Sequence, residues 1–149
     1  MTQPLLTRYP MLARYFLTIA PTHLLWEFLH LPFYTLWDTG SAAEILFAVV
    51  HCTGGDLLIA AGALALAIMV FGKRRWPEQH FLRVVIAAIA FGLFYTVFSE
   101  WLNVDIRRTW AYKDSMPRLP WLGTGLTPAL QWIIVPALGF WFAHEARSR

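Results

Sequence analysis

His23, Glu27 and His30 stand at i, i+4 and i+7, a spacing that puts all three side chains on one face of an α-helix. Thr96, Glu100 and Asn103 repeat that spacing later in the chain, and Glu44, His51 and Asp56 lie between the two groups. Carboxyl and imidazole groups held together away from bulk water can pass a proton to a bound molecule and take one back. In that reading Glu27 and Glu100 are the acids, His23 or His51 is the base, and Asp56 completes the catalytic set. Trp26 and Trp132 offer π-faces to an apolar substrate or a carbocation; with Asn103, Trp110, Tyr112 and Gln131 they form the expected substrate-binding set. Packing and an aromatic belt at the lipid headgroups would use the same tryptophans.

The same side chains admit other chemistries. His23, Glu27 and His30 facing His51 and Asp56 are nitrogen and oxygen ligands suited to zinc, iron or copper, and two histidines on facing helices can hold a haem. No cofactor follows from the sequence itself. Acids and histidines inside a membrane also form proton relays, although here one half of each span lacks polar groups to continue such a path. A network that only fixes helix register, or an accessory subunit, would also use these residue types.

The elements that must carry these residues are long apolar segments. With 58% hydrophobic and 14% charged residues in 149, the chain is too apolar for an ordinary soluble domain. Its charges gather at residues 73–83, 105–118 and 144–149. Taking about 20 apolar residues per crossing, the spans fall at 11–31, 43–71, 81–103 and 124–143. The expected fold is therefore an all-α integral membrane protein, one domain with an up-down-up-down bundle of four transmembrane helices. Ser41 can cap the second span, Gly72 ends it, and Pro128 sits in the first turn of the fourth. Pro21 and Pro136 lie inside spans, where kinks are expected. Small residues such as Ala60, Gly62, Ala63, Ala87, Ala88 and Gly92 suggest a tight core made by spans 2 and 3.

A net charge of +3 does not point to nucleic acid, because the basic residues flank apolar spans. Arg8 and Arg14 precede span 1; Lys73, Arg74, Arg75 and Arg83 separate spans 2 and 3; Arg147 and Arg149 end the chain. With both termini cytoplasmic, these eight of the twelve positive charges are inside, and Arg107, Arg108, Lys113 and Arg118 are outside. The expected location is the inner membrane. Arg14 and Pro21 interrupt the first apolar run, so it reads as a retained span and not a cleaved leader. The lone cysteine, Cys52, allows no intrachain disulfide.

That orientation sets depth. His23, Glu27 and His30 fall in the outer half of span 1, Glu44, His51 and Asp56 in the outer half of span 2, Glu100 and Asn103 at the outer end of span 3, and Gln131 early in span 4. Four helices thus bring polar groups to one level. Glu44, His30 and Asn103, near span ends, also suit an interfacial place. Asp56 is about 140° from His51 on a regular helix, a gap that a bend at Gly54 and Gly55 would narrow. The loop at 104–123, with Trp110, Tyr112, Met116 and Trp121, reads either as an interfacial belt or as a lid over the bundle.

The stretch from His23 through Leu24, Leu25 and Trp26 to Glu27 resembles the HxxxE helix of EXPERA-type membrane domains, the sterol isomerase group. The resemblance implies a helical bundle with an acid/base site opening to the membrane and a lipid-like ligand, with His23 and Glu27 as the residues it covers. That family's second acidic motif, a Glu followed three residues later by Thr, has no clear counterpart in this sequence. The segment from Ser99 to Trp132 is similar to that of small uncharacterised bacterial four-helix inner-membrane proteins at Glu100, Asn103, Trp110, Tyr112, Met116, Pro117, Gly125, Pro128, Gln131 and Trp132; this second likeness implies no function. Membrane lipids are the expected surroundings, and oligomeric state is left open.

Overall fold

A computed structural model describes residues 3–72 and 76–145 of the chain, with side chains from Pro10 onward. It is all-helical. α1 spans Gln3–His30 and runs through a short 3-10 turn, Leu31–Phe33, into a one-turn helix α2, Leu36–Thr39. α3 covers Ala42–Ala67 and α4 Phe81–Trp101, each extended by a wider helical turn, Ile68–Gly72 and Leu102–Ile106; α5 covers Leu126–Glu145. Ser41 caps α3 by a reciprocal exchange with Glu44, whose carboxylate accepts from the Ser41 backbone N–H and whose own N–H donates to the Ser41 hydroxyl. Glu44 is thereby an exposed capping residue and not part of a buried site. α1 and α5 continue through Pro21 and Pro136.

α1 packs on α3 and α5, and α4 packs on the same two. Neighbours are antiparallel: Tyr15 stacks on Phe140 while Trp26 bonds Thr127, and Gly92 lies under Trp132 while Phe81 meets His144. The inward stripe of α1 explains both the core and the site. Met11, Tyr15, Ile19, His23, Glu27 and His30 are all buried at spacings of three or four, apolar in the first half and polar in the second. One cluster of apolar side chains, including Ile19, Leu64, Val84, Val135 and Phe140, fills the end opposite the loop. A smaller one, Leu31, Tyr34, Val49, Tyr112 and Met116, closes the loop end.

Three helices are long and apolar enough to cross a membrane: Ala42–Gly72, Phe81–Ile106 and Leu126–Glu145. The expected span at 11–31 forms a helix, but it does not join those three among the described residues. Arg14, Pro21, His23 and Glu27 lower its apolarity. The expected contact between spans 2 and 3 is present, with Ala60, Ala63, Ala87 and Ala88 buried, but Gly62 on α3 faces open space. Helix α5 is approached closely from two sides, since a Cβ on Gly139 would stand 2.4 Å from Ile19 of α1 and a Cβ on Gly92 would run into the Trp132 ring. Of the basic residues used for orientation, Lys73, Arg74, Arg75, Arg147 and Arg149 lie outside the described residues, as does the side chain of Arg8.

Candidate functional site

Each long helix carries a buried stripe that changes from apolar to polar at the same level. On α1 the polar part is His23, Glu27 and His30, on α3 it is Thr53 and Asp56, on α4 Thr96 and Glu100, and on α5 Gln131. Buried polar groups need partners, and the amide nitrogen of Gln131 supplies several. It lies 2.9 Å from His23 Nδ1, 2.9 Å from Glu27 Oε1 and 2.8 Å from Asp56 Oδ2. That nitrogen has two hydrogens, and carboxylate oxygens only accept, so the two hydrogens go to Glu27 and Asp56. His23 Nδ1, 3.3 Å from Asp56 Oδ2, then carries its own hydrogen to that carboxylate. His23 Nε2 is buried with no hydrogen-bond partner among the described residues.

From Glu27 the network runs towards the loop. His30 Nε2 lies 3.1 Å from Glu27 Oε2, and His30 Nδ1 lies 3.3 Å from the Thr127 hydroxyl. Both oxygens of Glu27 are therefore engaged, one by α5 and one by its own helix.

Glu100 forms a second centre. Its Oε2 accepts from the phenols of Tyr34, at 3.2 Å, and Tyr112, and the Tyr112 oxygen accepts the Gly125 backbone N–H at 3.0 Å. Gly125 lets the chain pass closely there: a Cβ would stand 3.1–3.2 Å from Met116, Pro128 and Tyr112, which would have to give by a few tenths of an ångström. Burial, then the Glu100 carboxylate, pushes both phenols above their ordinary titration range. The backbone pairs the two connections alongside, Thr35 N–H donating to Ala111 and Lys113 N–H to Phe33. The loop thus packs over the end of the helices through Tyr112, while Trp121 points fully outward.

The two centres line a single cavity of about 410 Å³. Glu27 and His30 enter from α1, Gly55 and Asp56 from α3, Thr96 and Glu100 from α4, Gln131 and Trp132 from α5, and Trp110 from the loop. Trp110 Nε1 is buried without a hydrogen-bond partner among the described residues. The cavity edge between α3 and α4 is exposed at His51, Leu58 and Tyr95. Among the described residues lining it there is no Lys or Arg.

The structure thus brings together His23, Glu27, Asp56, Glu100, Tyr112, Gln131 and Trp132, with Trp110 at the wall. One expected member sits at the rim and two stand apart. His51 is at the exposed cavity edge, its ring stacked on Phe47 at 5.2 Å, because α3 stays regular through Gly54 and Gly55 and turns His51 away from Asp56. Asn103 bonds the Ser99 carbonyl and hydroxyl and accepts from Thr109, closing the end of α4. Trp26 donates to the Thr127 carbonyl at 3.2 Å and does not line the cavity. The alternative metal set of His23, Glu27, His30 and His51 does not converge, and among the described residues no three His, Cys, Asp or Glu side chains are grouped to hold a metal.

Two residues join unexpectedly. His30 is buried in the network and not interfacial. Tyr34 was hidden by its place in a connection, where no helical period applies; its position four residues after His30 was the available signal. Comparison with protein-family models, curated proteins and solved structures finds no match for this chain.

Proposed function

We propose that this is a multi-pass inner-membrane protein of four transmembrane helices, with both termini cytoplasmic, that binds a lipid-like small molecule and moves a proton on it. The observation that carries this reading is one cavity lined by three carboxyl groups from three helices, inside a molecule whose outward faces are apolar. The polar residues that lower the apolarity of α1 include His23, Glu27 and His30, which all point inward. Its outward face exposes Leu17, Leu24, Leu25, Phe28 and Leu29. An apolar exterior around a polar interior is the arrangement lipid requires, and it supports α1 as a fourth span. The resemblance of His23 to Glu27 to an HxxxE helix agrees with this.

Chemistry follows from the two centres. With acidic groups and no Lys or Arg among the described residues of its wall, the cavity disfavours a phosphate or carboxylate and suits a neutral or cationic head. Glu100 and the Glu27–His30 pair touch the cavity as separate proton carriers, whereas His23 is enclosed and acts through Asp56 and Gln131 as a positioning residue. Such a site can add a proton at one atom of the bound molecule and remove one from another. The result is a shift of bonds that needs no oxidant or reductant. Incubated with a membrane lipid extract in heavy water, the protein should introduce deuterium into a lipid-like component. Glu27→Gln and Glu100→Gln should each abolish that exchange while remaining folded; full exchange in both variants would overturn the reading.

A further inference from the structure

A second hollow, of about 390 Å³, runs over the surface between α3 and α4. It shares Leu58, Ile59 and Tyr95 with the polar cavity and continues past Gly62 to Leu66 and Phe91. Apart from the Tyr95 hydroxyl, every side chain lining it is apolar. A Cβ built on Gly62 meets nothing within 4 Å, so the groove is open at that position. The two hollows thus adjoin at Leu58, Ile59 and Tyr95, the first polar near Asp56 and Glu100 and the second apolar along two helices long enough to cross a membrane.

We infer that this groove is the tail subsite of the ligand whose head occupies the cavity: an unbranched hydrocarbon chain leaves past Tyr95 and lies over Gly62 between α3 and α4. The inference rests on the ligand-binding reading of the cavity. From Asp56 to Leu66 α3 rises about 15 Å, room for roughly a dozen extended methylenes. In lipid the chain gains nothing by leaving water, so the groove selects by shape and close contact. Gly62 is then a specificity determinant, because any sizeable side chain there fills the space the tail needs. The small residues would also suit a second copy of this chain, an occupant the experiment separates.

The test uses the purified full-length chain in lipid nanodiscs and two probes, butan-1-ol and dodecan-1-ol, each carrying a diazirine at its terminal carbon. Photolabelled positions are read by peptide mass spectrometry. The short probe should label the cavity, and the long one should label Leu66 and Phe91, displaced by excess unlabelled dodecan-1-ol. Gly62→Phe should lower the long probe's labelling at Leu66 and Phe91 roughly tenfold while leaving short-probe labelling intact. Long-probe labelling that is no more displaceable than at the outward-facing Leu46 and Phe94, or that survives Gly62→Phe, overturns the tail subsite. So does a dimer in native mass spectra that Gly62→Phe dissociates with labelling unchanged. Failure of the short probe to label the cavity displaceably would instead refute the cavity reading, and with it this inference.

Discussion

The amide of Gln131 bonds both Glu27 and Asp56, and its two hydrogens are used up by them. Removing a donor from a buried carboxylate leaves an acceptor without a partner, which is why single polar groups here matter more than their individual bonds suggest. Tyr112 shows the same coupling at the Glu100 centre, with a consequence for pH. Burial and the adjacent carboxylate raise its phenol above the ordinary value of 10.0. The folded chain therefore holds that proton more tightly than the unfolded chain does. The stability this provides is complete below pH 10 and is lost as pH rises towards the folded value. Tyr34 acts in the same direction. Unfolding temperatures measured in detergent should fall as pH climbs above 10, and Tyr112→Phe should flatten that decline; an identical pH profile in the variant would contradict it.

At the scale of elements, the close approach of α1 and α5 positions His23 and Glu27 against Gln131. Gly139 makes it possible, since a Cβ there would stand 2.4 Å from Ile19 and 2.9 Å from Tyr15. Gly139→Leu should cost about 1–3 kcal/mol or more in unfolding experiments. Gly54→Leu, at an exposed helical position with nothing within 4 Å, should cost nothing. Equal stability of the two variants would contradict the seam. The positions of the long helices were legible in the sequence because runs of apolar residues bounded by Pro32, Ser41, Gly72 and Pro128 leave little choice. The facing of α3 was not. A spacing of seven puts Glu44 and His51 on one side of a helix without saying which side, and Asp56, with Thr53 and Ala60, took the inner one. Small residues were a partial guide: Ala60, Ala63, Ala87 and Ala88 are buried, whereas Gly62 lies on the surface and Gly139, on a different helix, makes a close contact. Tyr34 and the folding of Tyr112 onto Glu100 depend on chain connections that no periodicity describes.

For the whole molecule, the inversion of an apolar exterior over a polar interior joins the fold to its proposed setting. Large apolar side chains such as Leu17, Leu58, Met69, Leu82 and Phe94 are exposed on the long helices, which in water would invite aggregation and in lipid costs nothing. The proposed orientation, which follows the charge distribution, puts the 107–125 loop outside. In a Cys52→Ala background, Ser115→Cys should react with an impermeant maleimide on intact cells and Gln79→Cys only after lysis; the reverse pattern would contradict the orientation. The most direct measurement of the ligand-binding account concerns the cavity itself. Gly55 lines it and a Cβ there meets nothing within 4 Å, so Gly55→Leu puts bulk into the cavity while leaving all three carboxyl groups in the sequence. Native mass spectrometry of the wild-type chain should show a bound lipid-like molecule with a neutral or cationic head, and the folded Gly55→Leu chain should lack it. A wild-type chain that releases nothing, or a variant that carries the same molecule, would contradict the account.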